Sequence, residues 1–365
     1  NSIGIGLKDQ ADFVGAQQAY EQAILLRRET SNRIGEAVEV NNIAVLLYEQ
    51  GKFAAARKEY ERSLGIAREI GEKRGIARAL TNLGILLHEQ GQMEESRKLH
   101  EQSLAIRREI GDKAGIGLGL NNLSATLLDE GDLPAAQKAL DEQLPIFQQA
   151  NNQRGLSYVL FIQGEVLEAE GKLDEARKTQ EQVLATRNKL GEKTTAEDSL
   201  LALAQLSIEQ GRAAEAETAA RQVLEQAKAE NARGNELGAR TTLARSLLAQ
   251  GKAAEAETEI HTAETAAASA EGRLLAMQVT TSAALIHAAN GKAAEAARTL
   301  ASVLAEAARL HCGKCELDAQ LALGQVELKQ GKKAAARERL SHLENDAAAK
   351  GFLLIAREAH EAANK

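Results

Sequence analysis

A glycine returns at one phase of the chain eight times, at Gly51, Gly91, Gly131, Gly171, Gly211, Gly251, Gly291 and Gly331, forty residues apart without a slip. Each follows polar residues such as Glu49-Gln50 or Asp129-Glu130. A fixed period of this length with no insertion describes one supersecondary unit stacked repeatedly, so the fold is a solenoid in which each unit buries itself against its neighbour. Around the first marker, Ile43, Leu46 and Leu47 precede the glycine and Ala56, Tyr60 and Leu64 follow it. That three-and-four spacing belongs to two amphipathic helices. A glycine just past the first helix can take the left-handed conformation that closes a helix C-terminus at little steric cost.

The rest of the composition fits this pattern. Of 365 residues, 44% are hydrophobic but only 2% aromatic, with two prolines. These are Ala/Leu helices with no β-rich segment, so the class is all-α and the architecture a superhelical α-solenoid. One domain is expected over residues 1–365, with about nine helix hairpins turning near residues 11, 51, 91, 131, 171, 211, 251, 291 and 331. Helices are expected near 34–50, 54–70, 74–90, 94–110 and 114–130, each about 25 Å long. A last helix near 352–363 should cap the array, with Glu358-Ala359-His360-Glu361 turned to water.

Three local features bear on stability. Pro145 falls inside a helical period, where it removes a backbone donor, so a bend is expected near Asp141 to Leu144. Gly115, Gly117 and Gly119 crowd the start of another helix, which is expected to fray. After Gly211 the second helices become Ala-rich, as in Ala293-Ala294-Glu295-Ala296, and should pack closely while burying less area per residue.

In Thr81-Asn82-Leu83-Gly84-Ile85-Leu86-Leu87-His88-Glu89-Gln90-Gly91 the chain resembles the tetratricopeptide repeat, with the family's Asn-Leu-Gly and its later glycine in place. Phe53, Ala56, Tyr60 and Ser63 stand where the family's second helix alternates aromatic and small residues. The polar links Gly71-Glu72-Lys73-Arg74-Gly75 and Gly111-Asp112-Lys113-Ala114-Gly115 are similar to the forty-residue variety found in kinesin light chains and spindle-orientation adaptors. The proline that closes the shorter variety is absent, and the resemblance covers essentially the whole chain. It implies a right-handed superhelix whose first helices line a concave surface.

Charge and motifs exclude several function classes. A net charge of −7, with no basic stripe interleaved with aromatics, argues against nucleic acid as a partner. No run approaches the roughly 20 apolar residues of a membrane span, and no signal segment opens the chain, which leads to a cytoplasmic expectation. Asn1 to Gln10 aligns with Asn41 to Gln50, so the sequence starts inside a first helix and reads as a piece of something longer. Gly115-Ile116-Gly117-Leu118-Gly119 lies in a helical period with no strand before it and is no dinucleotide loop. Neither a phosphate-binding Gly-Lys-Ser/Thr nor a His-Glu-x-x-His zinc motif nor a Gly-x-Ser-x-Gly elbow occurs, so no enzyme activity, cofactor or metal is expected. His88, His100, His261, His287 and His342 fall on separate helices without acidic or thiol neighbours at helical spacing, and read as surface or half-buried residues.

Cys312-Gly313-Lys314-Cys315 is the one compact constellation. Incidental loop cysteines, a redox pair and part of a zinc site all fit the spacing. The incidental reading is adopted, with both thiols dispensable for stability.

The resemblance implies that an Asn on each first helix grips the backbone of an extended peptide, and Asn42, Asn82 and Asn122 hold that position, followed by Ile162, Ala202 and Thr242. An amide offers an acceptor and two donor hydrogens, which suits a peptide unit whatever its side chain. Bonding between neighbouring helices is the competing use of the same groups. Where the ladder stops, Tyr158, Phe161 and Glu165 share one helix face and could form an aromatic anchor beside Leu201, or could simply pack between helices. The function expected is a non-enzymatic scaffold that captures a protein or peptide segment in its groove. A second reading is a sensory module of a multidomain bacterial signalling protein, a Ser/Thr kinase or transcription regulator, acting through self-association or ligand-dependent shape change.

Overall fold

The computed structural model describes residues 12–230 and 232–364, and among these every regular element is an α-helix and none a strand. The turn expected near residue 11 lies outside the described residues. Two compact units are distinguished, one taking the chain up to Leu123 with Glu271–Arg273, the other Ser124–Ala270 with Leu274–Lys365.

The first unit is built from α1 (Phe13–Glu29), α2 (Arg33–Glu49), α3 (Phe53–Glu69), α4 (Lys73–Glu89), α5 (Met93–Glu109) and the start of α6 (Lys113–Glu130). Each helix begins within about a residue of its expected place. The helix ends repeat one device at half the sequence period. Ser31, Gly51, Gly71, Gly91 and Gly111 all have positive φ, so both connections of each repeat are closed the same way. At Gly51 the amide donates to Tyr48 O at 2.8 Å and the next amide, of Lys52, to Leu47 O at 2.9 Å, which satisfies carbonyls the helix end would leave open. Packing then follows from the apolar stripes. Tyr20, Ile24, Val40 and Leu46 form one buried cluster, and Phe53, Tyr60, Leu80 and Leu86 another. Tyr48 stacks on Phe53 with ring centroids 5.3 Å apart.

The glycines of α6 do not fray it. Asp112 caps the helix by accepting from the Gly115 amide at 3.0 Å and also pairs with Arg107 at 2.9 Å. A Cβ at Gly119 would come within 2.8 Å of Leu104, so the missing side chain there lets α5 approach. The entropic cost of the glycines is offset by capping and close packing.

The second unit holds the end of α6 and α7 (Leu133–Gln149), α8 (Gln153–Ala169), α9 (Leu173–Leu190), α10 (Lys193–Glu209), α11 (Ala213–Glu230), α12 (Arg233–Ala249) and α13 (Ala253–Ala268). There follow α14 (Arg273–Ala289) from Leu274 onward, α15 (Ala293–Leu310), α16 (Gly313–Lys329), α17 (Lys333–Lys350) and α18 (Leu353–Ala363). Positive φ again marks most of the described joints, with Asn151 and His311 standing in for glycine, while the joint between α13 and α14 has none. α7 runs through Pro145 without interruption, so the proline costs the ladder a bond but does not end the helix. The Ala-rich helices pack closely: Ala220, Ala256 and Ala263 are fully buried around Leu243, Ile260 and Ile286.

The terminal helix meets expectation at His360 and Glu361, which are exposed, and departs from it at the two residues before them. Ala359 is completely buried, and the half-buried Glu358 faces Glu209 of α10. α18 packs on α17, on α16 and also on α8, far back along the chain. A Cβ at Gly171 would stand 3.7 Å from the Leu354 amide nitrogen, so the α8–α9 turn and the start of α18 meet backbone to backbone.

Candidate peptide-binding surfaces

In the first unit the Asn residues are half-buried on the faces of α2, α4 and α6, and already make bonds within the fold. Asn82 Nδ2 donates to Asn41 Oδ1 at 2.9 Å, tying α4 to α2. Asn42 Nδ2 donates to Glu39 Oε2 at 3.2 Å, and Glu39, wholly buried, lies 3.8 Å from the Arg27 guanidinium. Beside them Thr81 donates to Ala77 O and exchanges a 2.8 Å bond with Ser103. The face is thus a polar network.

One residue on it was not singled out by the sequence pattern. Arg78 sits one turn before Asn82 on α4 and is half-buried, yet among the described residues its guanidinium has no hydrogen-bond or ion-pair partner, and its Nε is sealed from solvent. Burial, opposed by Glu72 and reinforced by Arg107, lowers its pKa from the usual arginine value. A guanidinium held in this way offers a fork of donors suited to a carboxylate. Charge alone could have flagged it, since Val38 and Leu118 hold the equivalent places forty residues away.

In the second unit, α8 carries Tyr158, Phe161 and Glu165 on one face, all half-buried. The Arg187 guanidinium covers the aromatic pair, 4.5 Å from the Phe161 ring centroid and 6.0 Å from that of Tyr158. Arg187 is buried and fixed by donating to Thr195 O at 2.6 Å and Ser199 Oγ at 2.8 Å. Leu201 packs against the core cluster that holds Leu243 and Ile260. Glu165 is pushed up to about 8 by burial and by the nearby Asp129 and Glu168 carboxylates. Burial likewise takes Glu168 up to about 7 and Asp198 up to about 6. Lys314 answers part of this charge: it pairs with Asp318 at 3.0 Å and faces Asp129 and Glu168. The six sequence candidates therefore fall on two surfaces, three in each unit.

Among the histidines, His287 is half-buried as read from the sequence, and His100 departs from that reading. His287 lies between two carboxylates of α13, with Nδ1 3.0 Å from Glu257 and Nε2 3.0 Å from Glu264. His100 is fully buried with neither ring nitrogen hydrogen-bonded. Among the described residues no group of three or more His, Cys, Asp or Glu is arranged to hold a metal ion.

Stacked helix hairpins with a forty-residue period and a polar face on the first helices define a tetratricopeptide-repeat protein. The chain belongs to the MalT-like TPR region family, whose model matches residues 117–360, and a tetratricopeptide-repeat model also matches residues 36–109. Neither is an enzyme family. Solved structures of similar fold include a Rap protein complexed with competence and sporulation factor, at 14% identity over 79% of this chain and 86% of that one, TM-score 0.56. A signal-transduction ATPase with a tetratricopeptide repeat sensor from Pyrococcus horikoshii matches at 13% identity over 94% of this chain and 54% of that one, TM-score 0.52. NprR in complex with its cognate peptide NprX matches at 14% identity over 80% and 82%, TM-score 0.50. At these identities the likeness is one of fold. No curated protein sequence matches the chain. Among the described residues no helix is long and apolar enough to cross a membrane.

Proposed function

We propose that the chain is a non-catalytic scaffold that binds an extended peptide with an acidic residue along the first-helix face of the first unit. The observation that carries this reading is Arg78, a half-buried guanidinium without a partner, one helical turn from Asn82. Burying a charge without a counter-ion is costly, so the position is compensated when a ligand carboxylate arrives. Asn42, Asn82 and Asn122 then hold the peptide backbone, with register set by the repeat. A neighbouring fold, NprR, was solved with a cognate peptide, which supports the class of ligand.

The test is a peptide library selected against the purified chain. Acidic peptides should be enriched, and Arg78→Ala should weaken the selected ones by about ten- to a hundredfold, the range of a hydrogen-bonded charge pair. Equal affinity of parent and variant, or selection of basic peptides, would overturn the reading.

A second reading, a sensor region of a larger signalling protein, is favoured by the fold match over 94% of the chain to an ATPase with a tetratricopeptide sensor. In that case ligand binding alters self-association or the exchange of protected amides, so sedimentation with and without a selected peptide separates the two.

A further inference from the structure

Cys312 and Cys315, read from the sequence as incidental loop thiols, are joined in a disulfide on the first turn of α16. Cys312 is the N-cap and Cys315 the third helical residue, with Cα atoms 5.3 Å apart. They are the two cysteines of the chain, so no other thiol competes for either. A ring this small removes little freedom from the unfolded chain, because that effect grows with loop length. A purely structural role for the bond is correspondingly weak.

Its position is more telling. Gly313, between the two cysteines, lies against the α6–α7 turn so closely that a Cβ there would be 2.3 Å from Glu130 O and 3.3 Å from Gly131 Cα. The neighbouring Lys314 reaches Asp318 and faces Asp129. The four-residue motif is therefore the piece of α16 that touches the start of the same unit. Both cysteines are buried and flank Gly313 and Lys314, so the bond ties together the two ends of the segment that meets the α6–α7 turn.

We propose that Cys312 and Cys315 form a reversible dithiol–disulfide pair whose oxidation state sets how firmly the first turn of α16 is held against the α6–α7 turn. The co-reactant is a dithiol. One of its thiolates attacks Sγ of Cys315, the more exposed of the two residues, the S–S bond breaks, and Cys312 leaves as a thiolate. The amides at the α16 N-terminus favour that leaving group. The second thiolate of the reductant then attacks its own sulfur in the mixed disulfide and displaces Cys315. Each cysteine takes up one of the two protons lost by the dithiol, which departs as a disulfide carrying the two-electron oxidation. Re-oxidation reverses the steps with a disulfide of the same class.

The experiment compares oxidised full chain with chain reduced by dithiothreitol, thiols being counted by alkylation and mass spectrometry. Amide hydrogen exchange is followed over residues 126–134 and 311–318. Reduction should proceed with the helical circular dichroism unchanged, raise exchange in both segments about tenfold, and be undone by oxidised glutathione. The double variant Cys312→Ser, Cys315→Ser should exchange like the reduced protein and ignore dithiothreitol. Unchanged exchange over 126–134 on reduction, reduction only after denaturation, or failure of the pair to form with oxidant would each overturn the proposal, and these comparisons need no variant to fold.

Discussion

The His100 ring of α5 fills the space that a side chain at residue 84 of α4 would need: a Cβ on Gly84 would meet its Cε1 at 2.5 Å. His100 stands where other repeats place Tyr20, Tyr60 or Leu140, so the ring is a core piece and not a titrating surface group. Burial drives its pKa down to about 3, with His88 adding to the shift.

Two substitutions should therefore act in opposite directions. Gly84→Ala should cost about 1–3 kcal/mol by overpacking against a ring with nowhere to go. His100→Phe keeps the ring, drops two unbonded nitrogens and should gain about 1 kcal/mol. The unfolded chain takes up a proton on His100 near pH 6.5 while the folded one does not until about 3, so stability is lost as pH falls through that window. Denaturant melts at pH 7.5 and 5 should show the parent losing more than the Phe variant.

Glu165 predicts the reverse pH trend for the second unit. Its folded value near 8 exceeds the unfolded 4.5, so folding takes up a proton between them and stability falls as pH rises across that range. Glu165→Gln should leave the melting temperature nearly unchanged at pH 5 and raise it at pH 8.5, by roughly 2–4 °C for about 1 kcal/mol in a unit of this size. A gain at pH 5 equal to that at pH 8.5 would show the carboxyl is not the source.

Replacing Pro145 with alanine restores an amide to a helix that already runs through it. Stability should rise by about 1–3 kcal/mol, read from chemical denaturation. A loss would mean that the proline ring makes packing contacts worth more than the missing bond.

Asn82 and Asn42 can be separated by their bonds. Asn82→Ala leaves the buried Asn41 carbonyl without the amide that now bonds it, and should cost about 0.5–1.5 kcal/mol. A comparable stability loss together with a tenfold loss of peptide affinity in the triple variant Asn42→Ala, Asn82→Ala, Asn122→Ala would assign both duties to the ladder. Loss of stability alone would leave it a helix-to-helix tie.

The helices and most of their ends are readable in the residues because each depends on a local cue, such as the spacing of Ile43, Leu46 and Leu47 or the glycine at 51. What escaped were pairings between helices. Arg187 over Phe161, His287 between Glu257 and Glu264, and Glu358 against Glu209 join residues many positions apart, and side-chain reach across a packed interface leaves no period behind. Arg78 was overlooked for a related reason, since its interest lies in the partner it lacks. The cysteine spacing was noticed, but its place on a helix N-cap against Glu130 was not written in the motif itself.

The left-handed joints have a consequence for how such a chain changes over generations. Because Gly131 and Gly171 close helices in the same conformation, a stretch cut at one and spliced at the other exchanges like for like. Gaining or losing a whole unit alters the number of interfaces but introduces no new kind of corner. Length is then a quantised property, adjustable in steps of forty residues, while a deletion of any other size throws every later apolar stripe out of phase.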